Sequence, residues 1–210
     1  MIQIQRDTRF FSPVIRTINV GMDSKFLNYV YAHQRGENWC WAACIEMITK
    51  YYGVHIQQEY FAKNHCGIDA YGNVRDCPAP VDVITQNLNW CYKTHCIETP
   101  VFRYRPDEDS LIKLMNADMP VVIAYRYGVQ IGHAVVLTGM TYVETMFGTE
   151  LSHLIVRDPS PTAENLIVSG RRVFPAPNAL LNSVYAWWVP TVKKHFPHIP
   201  VYPAHSKVYW

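Results

Sequence analysis

The stretch "QRGENWCWAAC", residues 34–44, places a cysteine between two tryptophans, six positions after a glutamine. A thiol attacks a carbonyl as its thiolate, and the positive end of a helix or a nearby imidazolium favours that form. Cys40 stands where a helix is predicted to begin. The oxyanion formed by attack needs hydrogen-bond donors, for which the candidates are the backbone N–H of Cys40 and the side-chain amide of Gln34. These residue types predict nucleophilic catalysis at Cys40.

A partner imidazole must come from a rigid element opposite this helix. The stretch "VQIGHAVVLTG" offers His133 at the head of an alternating strand, where Gly132 gives the backbone room. The stretch "LIVRDPSP" ends the next strand with Asp158. If the two strands pair, the carboxylate accepts from one ring nitrogen of the histidine and leaves the other for the thiol.

The elements that must position these groups follow from periodicity. The stretch "CWAACIEMITKYY" predicts a helix over 40–52 with a broad buried face, closed by Gly53. Three further helices are predicted in "IQQEYFAKN", "PAPVDVITQNLNW" and "RPDEDSLIKLMNAD". Strands are predicted in "MPVVIAYRY", "GHAVVLTGMTYV", "LSHLIVRD" and "VYAWWVP". Helices come first and strands second, which predicts an α+β fold with a helical lobe beside an antiparallel sheet.

Composition excludes several classes of function. The chain has 210 residues, of which 49% are hydrophobic, and a formal net charge of +2. It has no basic run interleaved with aromatic residues and no phosphate-binding glycine loop, so neither nucleic acid nor a membrane is an expected partner. The longest apolar stretches have the length of strands. The first residues lack the pattern of a secretory signal, so we expect retention in the cell or export by a route without one.

Six cysteines raise the question of pairing. If Cys40 is a reduced nucleophile, five remain, and they cannot all pair within one chain. Cys44 is expected to be an inert thiol on the buried face of the helix. For Cys66, Cys77, Cys91 and Cys96 we favour disulfides, then free thiols, then zinc, because their spacings lack the close cysteine pairs of zinc sites. A Cys66–Cys77 bond would contribute about 3 kcal/mol.

These motifs resemble a known family. Gln34, Cys40 and the following "WAA" resemble the nucleophile region of papain-like cysteine peptidases, and "GHAVVLTG" resembles their histidine strand. The order Cys…His…Asp/Asn is also theirs. The resemblance covers Asn28 to Val189 and is nearest to the compact bacterial branch that includes secreted effector and toxin-type peptidases. This sequence differs from papain in having aspartate instead of asparagine as the third member of the triad. It also shows no recognisable inhibitory propeptide.

The resemblance implies a papain-like fold in which Cys40 is the nucleophile, His133 the general acid/base, Asp158 the orienting residue and Gln34 the oxyanion donor. The predicted division is an extended segment at 1–30, a catalytic domain at 31–190 and an irregular tail at 191–210.

The expected activity is hydrolysis of peptide bonds in a polypeptide through a thioester, with no cofactor and no metal. A bacterial effector or toxin role, with delivery by a specialised secretion system, follows only by analogy, and an inhibitor or immunity protein is a candidate partner. Two alternatives stay open. The same triad could perform deamidation, transglutamination or cleavage of cell-wall peptides. The chain could also be an inactive binding module.

Overall fold

The computed structural model describes residues 16–92, 95–127 and 131–194. Its helices are α1 Ser24–Val30, α2 Cys40–Tyr51, α3 Gln58–Cys66, α4 Val81–Leu88, α5 Glu108–Asn116, α6 Ala163–Ile167 and α7 Pro177–Ser183. Its strands are β1 Arg16–Gly21, β2 Trp90–Tyr92, β3 His95–Glu98, β4 Val101–Phe102, β5 Val121–Tyr127, β6 Ile131–Thr145, β7 Gly148–Arg157, β8 Arg171–Phe174, β9 Val184–Trp188 and β10 Thr191–Lys194. Within these ranges, no helix combines the length and apolarity needed to span a bilayer.

The main sheet has the strand order β4-β9-β5-β6-β7-β8, and β1 pairs with β6 off this path. A smaller sheet has the order β10-β3-β2. Every pairing between these strands is antiparallel. The 15-residue strand β6 is long enough for its first half to pair with β5 and its second half with β1. The residue order along β6 therefore decides which groups meet at each end of the sheet.

Alternation along the central strands covers both faces of the main sheet. On β6, Ala134 and Val136 pack in the same core cluster as α2, whereas Val135 and Leu137 belong to a second cluster with α5 and α7. Because successive side chains of a strand point to opposite faces, a strand buried on both faces reads as a nearly continuous apolar run. The sheet is thus held between two layers of helices.

Helix α2 is the central element of the helical lobe. Its residues 41–49 are all buried, including Ala42, Ala43 and Cys44, which are fully inaccessible. The small side chains at these positions allow the helix to approach the sheet closely. Gly53, with φ of 80°, follows the helix and donates its N–H to the carbonyl of Lys50, which is the predicted end.

The predicted α+β class is confirmed, as are the four predicted helices and the four predicted strands. Two corrections concern the ends. The segment 1–30 is not extended throughout, because α1 forms where the Asp23 carboxylate accepts the N–H of Lys25 at 2.8 Å. The tail expected to be irregular begins with β10, which pairs with β3. Residues 1–15 and 195–210 lie outside the described ranges, and the domain division stays a prediction.

Candidate active site

Cys40 is the first residue of α2, and Trp39 is the N-cap. Trp39 makes no side-chain hydrogen bond to the first N–H groups of the helix, so the N-cap residue leaves these donors uncapped at the end of the helix that carries the thiol. Cys40 is half-buried and is not part of a disulfide. Trp39 and Trp41 are both buried, so each packs beside the start of α2 and neither is exposed enough to line a substrate groove.

His133 lies near the beginning of β6, and Asp158 follows directly after the end of β7. The pairing of these strands brings the two side chains together across 25 positions, with His133 Nε2 at 2.8 Å from Asp158 Oδ1. The ring of His133 also meets the Tyr125 ring edge-on, with centroids 5.7 Å apart. Since Nε2 is held by the carboxylate, Nδ1 is the nitrogen left to serve the Cys40 thiol.

Asp158 is fully buried, and its carboxylate is bound on both oxygens. Oδ1 accepts the N–H of Ser160 at 2.9 Å in addition to the bond from His133. Oδ2 accepts a hydrogen bond from the Arg172 guanidinium. Burial alone would raise the pKa of Asp158, but the bonds and charge of His133, the Ser160 N–H and Arg172 outweigh it and lower this pKa to about 2. The carboxylate is therefore charged at neutral pH.

The His133 imidazole is poised as a cation. Burial acts to lower its pKa, but the hydrogen bonds and charges of Asp158 and Cys40 outweigh burial and raise this pKa to about 9. The contribution from Cys40 places the thiol within interaction range of the ring. At neutral pH the ring carries a proton, and an imidazolium beside a thiol favours the thiolate.

Gln34 is buried next to the Asp158 loop. Its backbone N–H donates to the carbonyl of Pro159 at 2.8 Å, which ties the segment before α2 to the residue after Asp158. Its side-chain Nε2 donates to the carbonyls of Gly36 at 3.0 Å and Glu37 at 2.7 Å, and its Oε1 is buried without a partner among the described residues. The amide is thus held at the base of the α2 N-terminus, with its N–H groups engaged by backbone.

The loop between Cys66 and Cys77 supports the start of α2. A disulfide joins the two cysteines, as the sequence favoured. The neighbouring Asp76 accepts both the backbone N–H of Asn38 at 2.9 Å and its side-chain amide at 3.0 Å. The indole N–H of Trp41 donates to the carbonyl of Cys77 at 3.2 Å. Both contacts flank Cys40 in the chain, so this loop fixes the approach to the helix.

The remaining cysteines have separate roles. Cys91 and Cys96 stand directly opposite each other on β2 and β3 and form a second disulfide. Cys44 is fully buried, and burial raises the pKa of its thiol well above the ordinary value. Among the described residues, one group could in principle hold a metal ion, namely His65 with Cys66 and Cys77. Its two sulfurs are joined in the disulfide and offer no thiolates, which goes against the zinc interpretation.

Two residues beside the site were not identified from the sequence. Arg172 binds Asp158, but its position follows from the pairing of β7 with β8, which no local pattern announces. For Tyr185 on β9, burial and then the charge of Cys40 raise the pKa of the hydroxyl. A Cβ on Gly132 would lie 2.5 Å from the Tyr185 hydroxyl oxygen. Gly132, directly before His133, was the one feature of the sequence that indicated a side chain packed close to the backbone at this position.

Comparison with known protein families identifies the family to which this chain belongs. The model of the family described as "Peptidase_C39 like family" matches residues 26–172, a span that contains Gln34, Cys40, His133 and Asp158. It also contains Arg172 as its last residue. A search of curated proteins found no match.

Several solved structures are similar to this chain. The peptidase domain of Streptococcus ComA, a bifunctional ABC transporter involved in a quorum-sensing pathway, has 16% identity and a TM-score of 0.47, covering 77% of this chain and 97% of that one. A double-glycine-motif protease from an AMS/PCAT transporter, in complex with the leader peptide, has 17% identity and a TM-score of 0.45, covering 76% and 89%. Digestive procathepsin L2 from Tenebrio molitor larval midgut has 15% identity and a TM-score of 0.43, covering 82% and 68%.

Proposed function

Because the chain belongs to the Peptidase_C39-like family and is a papain-like cysteine peptidase, we propose that it hydrolyses peptide bonds through Cys40, His133, Asp158 and Gln34. One arrangement carries this proposal. The thiol stands at a helix start, and the imidazole that interacts with it has a pKa raised to about 9 and is held from its far nitrogen by a buried carboxylate. This combination is what a nucleophilic cysteine requires.

The first step is attack by the Cys40 thiolate on the carbonyl carbon of the substrate. The proton of the thiol resides on Nδ1 of His133, while Nε2–H stays bound to Asp158. The charge of Asp158 stabilises the imidazolium and fixes the ring orientation. Attack forms a C–S bond and moves the carbonyl π electrons onto oxygen, which becomes an oxyanion.

The oxyanion would be stabilised by the backbone N–H of Cys40 and by the Gln34 amide. The N–H of Cys40 lies at the open N-terminus of α2, where the helix favours negative charge. Gln34 Nε2 donates to the carbonyls of Gly36 and Glu37 in this structure. Its proposed role therefore requires one of these bonds to be exchanged for the oxyanion when substrate binds.

Collapse of the oxyanion breaks the C–N bond and leaves a thioester on Cys40. His133 gives its Nδ1 proton to the departing amine, and the neutral ring then accepts a proton from an attacking water. Hydrolysis of the thioester releases the new carboxylate and regenerates the thiolate–imidazolium pair. The alternatives of deamidation or transglutamination share these steps and differ in the amide attacked or in the nucleophile that resolves the thioester.

The proposal is tested by labelling with an epoxide inhibitor of the papain-directed type at pH 6, followed by intact mass measurement. We expect one adduct on the parent protein and on Cys44→Ala, none on Cys40→Ala, and slower labelling of His133→Ala. Cys44 is the matched control because it is a free thiol that is fully buried. An adduct that persists on Cys40→Ala would contradict the assignment of Cys40 as the nucleophile. An unlabelled parent protein would contradict the proposal and favour the inactive binding module.

The bond that is cut is tested with a mixture of unmodified peptides. Peptide hydrolysis creates new amino termini and fragment masses, whereas deamidation raises a peptide mass by about 1 Da without cleavage. We expect fragments that are absent with Cys40→Ala. Deamidated but intact peptides would replace the peptidase proposal with the amidase alternative.

We also propose that the protein acts in an oxidising compartment, as an effector or toxin delivered outside its cell would. This is the part of the effector or toxin hypothesis that an observation of the structure supports. Two disulfides, Cys66–Cys77 and Cys91–Cys96, are typical of proteins that act outside a reducing cytosol. In that setting an inhibitor or immunity protein that covers Cys40 would restrain the enzyme in the producing cell. Thiol blocking without reduction, on protein recovered outside its native cells, should modify no more than Cys40 and Cys44. Modification of the other four cysteines would contradict an oxidising destination.

A further inference from the structure

A cavity of about 220 Å³ lies on the main sheet, between β1, the start of α1 and the strands β6 and β7. It is separate from the Cys40 region, and neither Cys40 nor His133 lines it. Its polar lining is formed by Asn19, Ser24, Thr138, Arg157 and Arg171. Two arginines at one cavity without an acid among the lining residues call for an explanation.

Arg157 is the last residue of β7 and is only 2% exposed. One terminal nitrogen, NH1, donates to the carbonyls of Val168 at 3.1 Å and Ser169 at 2.9 Å. The other, NH2, has a long contact of 3.4 Å with the carbonyl of Ser24. The remaining nitrogen, Nε, is buried and has no acceptor among the described residues. The edge of this guanidinium formed by Nε and NH2 is therefore buried, yet most of its hydrogen-bonding capacity is not satisfied by the described residues.

The charge of Arg157 is also uncompensated within the part of the chain that the structure describes. The next residue, Asp158, gives its carboxylate to His133, Ser160 and Arg172. Arg171 stands opposite Arg157 on β8 and adds a second positive charge. Burial and then Arg171 lower the pKa of Arg157 to about 10, which leaves the guanidinium charged at neutral pH. A buried charge without a counter-ion is strongly destabilising, so an anion would complete this arrangement.

We propose that this cavity binds a small oxyanion, in the form of a phosphate or carboxylate group. The Nε–NH2 edge of Arg157 offers the two parallel N–H groups that bind two oxygens of such a group side by side. Arg171 supplies the second positive charge from the exposed side. The Asn19 amide nitrogen is a further donor, because its oxygen already accepts from Thr141 Oγ1 at 2.6 Å. The volume admits a small molecule that carries the anionic group.

The test measures binding of sodium phosphate and of sodium acetate to the full chain by calorimetry and by thermal unfolding. Ionic strength is held constant with sodium chloride. We expect at least one of the two anions to release or absorb heat with saturation, and to raise Tm progressively with its concentration. Arg171→Gln should weaken this binding about tenfold, as for loss of one charge-assisted hydrogen bond. Because Arg171 is exposed, this variant should fold.

Arg75→Gln is the matched control, because Arg75 is also exposed and does not line the cavity. It removes the same charge and should leave the affinity unchanged. Arg157→Lys, which keeps the charge and removes the paired N–H groups, should bind more weakly if circular dichroism shows it folded. Saturation with phosphate only, or with acetate only, identifies the chemistry of the group. The proposal is overturned if neither anion binds, or if Arg171→Gln binds as tightly as Arg75→Gln.

Discussion

Arg172 and His133 hold opposite oxygens of the same buried carboxylate, that of Asp158. His133 Nε2 lies 2.8 Å from Oδ1, and the Arg172 guanidinium binds Oδ2. With both oxygens fixed, the carboxylate cannot rotate without breaking an ion pair. The orientation of the His133 ring, and of the nitrogen proposed to serve Cys40, therefore depends on β8 as well as on β7.

Asp158→Asn should move the alkaline limit of activity to lower pH. In the proposed mechanism the His133 imidazolium must keep its proton to protonate the leaving amine, and the negative charge of Asp158 helps to raise the pKa of His133 to about 9. A neutral amide keeps a hydrogen-bond acceptor but removes that charge, so the limit should fall by about one to two pH units. The measurement is kcat/KM against pH. An unchanged limit would show that the carboxylate charge does not control His133.

Arg172→Gln should shift the same limit in the opposite direction. Removing the positive charge leaves Asp158 less neutralised, so the pKa of His133 should rise, while kcat falls about tenfold from the loss of a charge-assisted hydrogen bond. Arg103→Gln is the control, since Arg103 pairs with the exposed Asp82. A fall in kcat with no change in the pH limit would indicate that Arg172 acts on folding alone.

Removing the two disulfides should have unequal effects on activity. Replacing Cys66 and Cys77 by serine should lower the free energy of unfolding by about 3 kcal/mol. It should also reduce kcat/KM, because the same loop holds Asn38 through Asp76. Unfolding in urea and peptide hydrolysis give the two readouts.

The matched control for that prediction replaces the cysteines of the second disulfide, Cys91 and Cys96, by serine. That bond lies in the small sheet and should contribute about 2 kcal/mol, while kcat/KM stays near that of the parent. Equal losses of activity in the two double variants would refute a specific role for the Cys66–Cys77 loop.

Gly132→Ala should destabilise the protein by about 1–3 kcal/mol, as expected for overpacking. The new Cβ would lie 2.5 Å from the Tyr185 hydroxyl oxygen, which would have to move. Tyr185→Phe removes that oxygen, so the double variant should recover part of the loss. A double-mutant cycle on the free energy of unfolding measures the coupling. Additive effects would mean that Gly132 is needed for another reason.

The His133–Asp158 pair should make stability depend on pH at both extremes. The pKa of His133 is raised from 6.5 to about 9, so its contribution is complete below pH 6.5 and is lost as pH rises through 9. The pKa of Asp158 is lowered from 3.8 to about 2, so its contribution is present above pH 3.8 and is lost as pH falls through 2. Denaturant titrations of the parent and His133→Ala should therefore converge above pH 9. A constant difference would contradict the raised pKa.

Local patterns were sufficient for the elements that carry the candidate site. The apolar period of α2, the glycine that ends it and the alternation of β6 each appear in a short window of sequence. The pairing of β6 with β7 could be inferred because they are consecutive strands. This was enough to place His133 beside Asp158.

Features that depend on distant pairing could not be predicted. Arg172 reaches Asp158 because a short strand, β8, adds to the edge of β7. The engagement of the Gln34 amide by neighbouring carbonyls depends on a turn whose geometry a single sequence does not specify. Helix α1 has only seven residues, too few to show a clear period, and β10 pairs with a strand about a hundred positions earlier.

The order of the elements also controls when the enzyme can become reactive during its synthesis. A ribosome completes α2 early, but β6 and β7 are made roughly a hundred residues later, at about 5–20 residues per second. Until then the nascent chain lacks His133 and Asp158, the two residues proposed to activate Cys40. For several seconds the thiol is therefore an ordinary one, and the translation machinery around it is not exposed to a working peptidase.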